Sequence, residues 1–463
     1  MLSEQDYAKL SWSNVPSVKV TPPGPKAKAI IERCRELETK ALALPFFVCQ
    51  TAWEDAMGAT IRDVDGNTYI DLSSHFAVMS VGHVNPEVTA ALKKQADKLW
   101  HCAEIPTQGR VELLELIHEL APPGLKGNMK VLASVTGTDA IEGAVKIARF
   151  NKHLPTIIAF EGGYHGAIGG AMALSAKNQM HIGFHPLMPG VFRVPYAYCY
   201  RCPFGDTPYP ECNLQCVKFI ERFFKDSEAG LDSVAAMVLE PIQGEGGYIV
   251  PPKEFLPEMA RICKQNNVLL IVDEVQSGVA RTGKMWACMH SSVEPDIMPI
   301  SKAMGAGTPI AAVMWKKELD TWPPGSHKGT YRWNMLTVAA SVGALRFIKE
   351  NRLWERADKL GNYAIKKLHD LLDNSKIVGD IRGKGLLIGV EFVKDKKTKE
   401  PMKLIPDFLK KLLDNGVTAL FAGHFDNVLR VAPPLIISQD LLDKALDITA
   451  ATVKEFEKKF GLE

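Results

Sequence analysis

Residues 269–278 read LLIVDEVQSG. Four aliphatic side chains run together and end, with no turn between, on two carboxylates, Asp273 and Glu274. A short continuous apolar run is what a strand buried on both faces requires, as in a parallel sheet. A bare carboxylate at its end is costly unless a cation or hydrogen-bond donors meet it. Fold and function therefore converge on one question: what does Asp273 hold?

Four further runs share this texture: KVLASV (130–135), TIIAF (156–160), VAAMVLE (234–240) and DIMPIS (296–301). Together with VLLIVDE (268–274) they alternate with helical segments between about residues 80 and 330. The pattern predicts an α/β domain, a mostly parallel central sheet with helices on both faces. Upstream lie a charged helix over 26–42 and, in ATIRDVDGNTYIDLSS (59–74), two strands around the turn Asp65-Gly66. Beyond 335 the chain changes to long helices (342–374, 404–415, 439–459) with strands GLLIGVEFV and NVLRVAP between them. The expected division is a large domain over 76–334 and a smaller α/β domain over 335–463, to which 1–75 contribute.

The 463 residues hold ample material for two domains. Lys and Arg total 55 against 53 Asp and Glu, a net charge of +2, which provides no electrostatic footprint for nucleic acid or a membrane surface. No basic and apolar leader opens the chain, and no run approaches the ~20 apolar residues of a membrane span. Nine cysteines, an odd number in a long chain, suit a reducing cytoplasm.

Every predicted strand of the large domain ends in a polar cluster, and open parallel sheets bind ligands at their carboxyl ends. In TGTDAIEGAVKIARF, the spacing of Ile141, Ala144, Val145 and Ala148 predicts a helix from about Asp139. Gly137 and Thr138 then sit at its N-terminus, where free N–H groups and the helix dipole favour a phosphate. The same Thr-Gly-Thr-Asp also reads as a plain cap. Lys302, between an apolar strand and the turn AMGAG, is a surface lysine or a Schiff-base former with a depressed pKa. A phosphate cup, a lysine and a buried acid together suggest pyridoxal 5′-phosphate (PLP). Its ring nitrogen needs an acidic partner to serve as an electron sink, which answers the question about Asp273.

The motifs TGTDA, YHG (164–166), EPIQGEGG (240–247), VDEVQSGVARTG (272–283), SKAMGAG (301–307), Gly329-Thr330 and LRVAPPL (429–435) resemble, in combination, the class III aminotransferases. That fold-type-I PLP group includes ornithine, acetylornithine and 4-aminobutyrate aminotransferases. The resemblance runs from about residue 59 to 459. It implies that Lys302 bonds the cofactor and shuttles the proton, and that Asp273 pairs with the ring nitrogen. Gln276 would lie near the ring hydroxyl, and Tyr164, in the motif with His165, would stack on the ring. Glu240 would support the cofactor. Gly137 and Thr138 would bind the phosphate, joined by Thr330 of the second subunit of a homodimer. Arg430 would take the substrate carboxylate and pair with Glu245 in its absence.

Three positions depart from the family pattern. Ala167 stands where an arginine for a distal carboxylate commonly follows YHG, His75-Phe76 replaces Gly-Ile, and Arg332-Trp333 replaces a small pair. Either Arg332 or another arginine supplies the lost charge, or the substrate has no second carboxylate and meets Phe76 and Trp333. The expected reaction is transfer of an amino group from an amino acid, of the 4-aminobutyrate or ω-amino acid type, to a keto acid. An amino-acid or aminolactam racemase is the alternative on the same fold. Outside these motifs, Cys199, Cys202, Cys212 and Cys216 form C-x2-C-x9-C-x3-C, open to free thiols, disulfides or a structural zinc or iron–sulfur site. GVARTGK (278–284) lacks the final Ser or Thr of a phosphate-binding loop, and His181 and His185 have no further ligand nearby in sequence.

Overall fold

The computed structural model describes residues 1–42, 50–404 and 406–462. It divides into two compact units, residues 87–349 and residues 1–86 with 350–463. These limits differ from the sequence boundaries because most of the helix Met335–Glu350 belongs to the unit 87–349. That helix is apolar on nearly every side, its first N–H donates to Trp100 O at 2.9 Å, and Arg346 and Lys349 pair with Glu112 and Glu119.

The unit 87–349 is built on seven strands: β1 (Met129–Ser134), β2 (Thr156–Phe160), β3 (Val191–Val194), β4 (Val234–Leu239), β5 (Leu269–Val272), β6 (Ile297–Ile300) and β7 (Ala311–Lys316). Their order across the sheet is β1-β7-β6-β5-β4-β2-β3. All five expected strands form, within two residues of the expected limits. The sheet is parallel except for β7, which pairs antiparallel with both β1 and β6. β3 and β7 were not expected: the first is four residues long with Arg193 inside it, and the second opens on two alanines.

Every residue of β4, β5 and β6 is buried, as their unbroken apolar runs require. Helix α1 (Gly137–Lys152) lays Ile141, Ala144, Val145 and Ala148 onto Ile157, Val238, Ile271 and Val313 of the sheet. Burial of each large aliphatic side chain here contributes roughly 1.5–3 kcal/mol. β4 and β5 run in register, Leu239 opposite Val272, so Glu240 and Asp273 leave the sheet side by side.

In the other unit the expected hairpin pairs Thr60–Asp63 with Thr68–Asp71, and Gly66 takes the left-handed conformation its turn needs (φ 89°). A second sheet contains Val378–Lys384, Leu387–Asp395, Val428–Val431 and Leu420–Ala422. The helix at 439–459 forms as expected. The long one at 342–374 is two helices, Met335–Glu350 and Leu353–Leu372, broken where Arg352 turns left-handed (φ 48°). Among the described residues no helix is long and apolar enough to cross a membrane.

Candidate active site

The carboxyl ends of β4, β5 and β6 open into a cavity of 160 Å³. Gly137, Thr138, Tyr164, His165, Glu240, Glu245, Asp273, Gln276 and Lys302 all line it. Nine residues singled out from sequence, spread over 166 positions, thus surround one space.

Asp273 is buried, and the sequence, which placed His165 at the cofactor, did not show that it is the partner of Asp273. His165 Nδ1 lies 2.7 Å from Asp273 Oδ2, while Oδ1 accepts the Val275 N–H at 2.9 Å. Ser175 fixes the loop behind it, its Oγ accepting the His165 N–H at 2.9 Å and the Gly166 N–H at 3.2 Å. Glu240 Oε1 accepts the Tyr164 N–H (3.0 Å) and Oε2 the Gly244 N–H (2.8 Å). Its carboxyl is pushed up to about 7, first by burial and further by the charge of Asp273, with His165 acting the other way.

Thr136 caps α1, its Oγ accepting the Asp139 N–H at 3.2 Å. Gly137 and Thr138 are therefore the first two helical residues, two positions earlier than periodicity placed the start, with N–H groups that the helix itself leaves unused. Gln276 is buried, and neither end of its amide has a protein partner. A Cβ on Gly244 would sit 2.0 Å from Gln276 Oε1, so a larger residue there would push the Gln276 amide aside. Lys302 lies one residue beyond the end of β6, after Ser301, in a left-handed conformation (φ 43°), a strained state that fixed surroundings must hold.

These features match the chemistry of a phosphorylated pyridine aldehyde. A buried carboxylate suits a protonated ring nitrogen, an unpaired buried amide suits a ring hydroxyl, a helix N-terminus suits a phosphate, and a lysine suits the aldehyde. The donor set fits PLP.

A family model for class-III aminotransferases matches residues 46–453. This chain belongs to the class-III aminotransferases. The PLP of that family is the cofactor the cavity fits. The leucine/methionine racemase of Thermococcus litoralis is 36% identical over 94% of this chain and 97% of its own length. The 4-aminobutyrate aminotransferase of Mycobacterium leprae is 34% identical, over 94% and 97% respectively. Among solved structures, the ornithine aminotransferase of Toxoplasma gondii, described with partial PLP occupancy at its active site, is 30% identical. It superposes with a TM-score of 0.80 over 94% of this chain and 95% of that one.

The residues that depart from the class-III pattern fall differently from expectation. Trp333 does not line the cavity: it is 2% exposed, its indole N–H donates to Ala311 O at 2.8 Å, and Arg110 covers its ring at 5.2 Å. Arg332 is buried and engaged elsewhere. Its Nη2 and Nε donate to Asp139 at 2.7 and 3.3 Å, and its Nη1 to His327 O at 3.1 Å. Asp139, read from the sequence only as the start of a helix, and His327 were not expected to hold Arg332, since Arg332 and Asp139 are 193 positions apart. Thr330 is exposed.

In the unit containing residues 1–86, Ser74–Ala77 form a left-handed turn, with φ 45°, 46°, 64° and 62°. Buried Asp71 holds its start, accepting from Ser73 N (2.8 Å), Ser73 Oγ (2.8 Å) and Ser74 N (3.0 Å), with His83 Nε2 at 2.9 Å. The turn puts the Phe76 ring 5.4 Å from the guanidinium carbon of buried Arg430.

The four clustered cysteines, Cys199, Cys202, Cys212 and Cys216, line one pocket as free thiols. Burial, and then the neighbouring thiols, push Cys199 up to about 11, and burial does the same for Cys216. Among the described residues no three His, Cys, Asp or Glu side chains are placed to hold a metal ion.

Proposed function

We propose that the chain is a PLP-dependent aminotransferase that moves an amino group from an amino acid, of the 4-aminobutyrate or ω-amino acid type, to a keto acid in two half-reactions. One observation carries the reading: Lys302, Asp273, Gln276 and the first turn of α1 line the same cavity. When bound, PLP supplies an electron sink for the carbon that bears the amino group.

The chain's own residues do the rest. Gly137 and Thr138 offer backbone N–H groups and the dipole of α1 to the phosphate, with Thr330 contributed by a second copy in a homodimer. Asp273, oriented by His165, supplies the negative charge beside the ring nitrogen. Gln276 would take the ring hydroxyl, and Tyr164, whose backbone N–H is held by Glu240, would stack on the ring. Lys302 Nζ would hold the cofactor at its aldehyde and, with substrate bound, would take the proton from the substrate carbon and return it, as a general base and acid. Arg430 is the bidentate partner for the substrate carboxylate. The eight described cysteines are all free, which supports a cytoplasmic setting.

Single L-amino acids are to be incubated with the enzyme, with and without a keto acid acceptor. New keto acid that appears only with the acceptor is the expected result. A second reading, amino-acid racemisation, is favoured by the name of the Thermococcus litoralis relative. D-isomer accumulating without acceptor would overturn the first reading for the second.

A further inference from the structure

The charge around the cavity restricts what it can accept. Three carboxyl groups line it, those of Glu240, Glu245 and Asp273. Among the described residues no arginine does so; under the reading above Arg430 is taken by the first carboxylate and the one lysine, Lys302, by the chemistry. A second carboxylate on the substrate would be desolvated among like charges, so it would need a cation of its own.

Arg332, the candidate the sequence offered, is not available to supply it. Arg332 is bound to Asp139, which directly follows Thr138 of the cavity wall, and to the carbonyl of His327. His327 Nε2 also contacts the guanidinium. Burial pushes the Asp139 carboxyl up, but hydrogen bonds from His327 and Arg332 outweigh it and hold that carboxyl well below its usual range. Releasing Arg332 to a substrate would leave this half-buried acid without its ion-pair partner. On the other side of Thr138, Gly166 lines the cavity and the next residue is Ala167, exposed and uncharged.

We propose that this enzyme acts on amino compounds and keto acids with a single carboxylate and an uncharged side chain, and discriminates against dicarboxylates such as glutamate and 2-oxoglutarate. Arg332 sets this specificity by being spent on Asp139, and Ala167 by leaving its position without charge. The inference rests on the proposed removal of a proton by Lys302, and the test separates the two.

The PLP-loaded enzyme is incubated in D2O with L-leucine, L-alanine, L-glutamate or L-aspartate, and deuterium entering the amino-bearing carbon is followed by NMR. This exchange reports proton removal whether transamination or racemisation follows. Leucine and alanine are expected to exchange at least about tenfold faster than glutamate and aspartate at equal subsaturating concentration. A smaller gap overturns the specificity proposal and leaves the proton-removal reading intact. Exchange with none of these, nor with 4-aminobutyrate, overturns that reading, and this proposal with it. Ala167→Arg, at an exposed position, is expected to shift the glutamate-to-leucine ratio toward glutamate by about tenfold or more. An unchanged ratio removes Ala167 from the account.

Discussion

Asp273 and Glu274 are adjacent in sequence and do opposite work, because successive side chains leaving a strand point to opposite sides. Asp273 faces the cavity, where His165 meets it. Glu274 is fully buried on the other side and organises the loop that follows, its carboxyl accepting from Ser277 Oγ at 2.7 Å and from the Cys288 N–H at 2.8 Å. The sequence made Asp273's need for a partner legible, since the run before it had to be buried. His165 was not legible in that role because it lies 108 positions away. Asp273→Asn is expected to lower kcat by about 10²-fold or more while the fold persists, as steady-state kinetics and circular dichroism would show. Burial pushes Glu274 up to about 7 from 4.5. Between those values the folded chain keeps a proton that the unfolded chain has lost. The stability contributed here is complete below the unfolded value and declines as pH rises through the folded one. Glu274→Gln is expected to flatten the fall in melting temperature between about pH 5 and about pH 8. Parallel melting profiles would contradict this.

At the scale of elements, helix α1 carries most of the site's precision. Its first turn is placed by the Thr136 cap, by Val275, which a Cβ on Gly137 would meet at 2.9 Å, and by the ties from Asp139 to Arg332. The apolar spacing that predicts α1 was readable, and so were the strands, because β4 to β6 are uniformly buried. The antiparallel β7 was not, since apolar content carries no direction and alanines begin it. Nor could periodicity show that Arg332 ends on Asp139 or that Trp333 turns inward. These are contacts between elements far apart in the chain. Arg332→Ala leaves half-buried Asp139 without its ion-pair partner and is expected to cost about 2 kcal/mol. Urea denaturation would measure it, and a loss under about 1 kcal/mol would show that the pair does not hold α1.

For the whole molecule, the class-III assignment was legible because its motifs fall at strand ends and helix starts, where chemistry constrains them. The substrate was less so, because it depends on side chains whose partners are set only when the chain folds. Ligand binding to the folded state alone stabilises it by about 2.7 kcal/mol at a hundred times Kd. Saturating PLP should therefore raise the melting temperature of the cofactor-free enzyme by a few degrees, and Lys302→Ala should diminish the gain. The central claim, that Lys302 is the residue that engages the cofactor, has a direct chemical test. The PLP-loaded enzyme is reduced with borohydride, digested and mapped by mass spectrometry. The account predicts a phosphopyridoxyl group on the peptide containing Lys302 and none after Lys302→Ala. The label on another lysine, or on none, would contradict it.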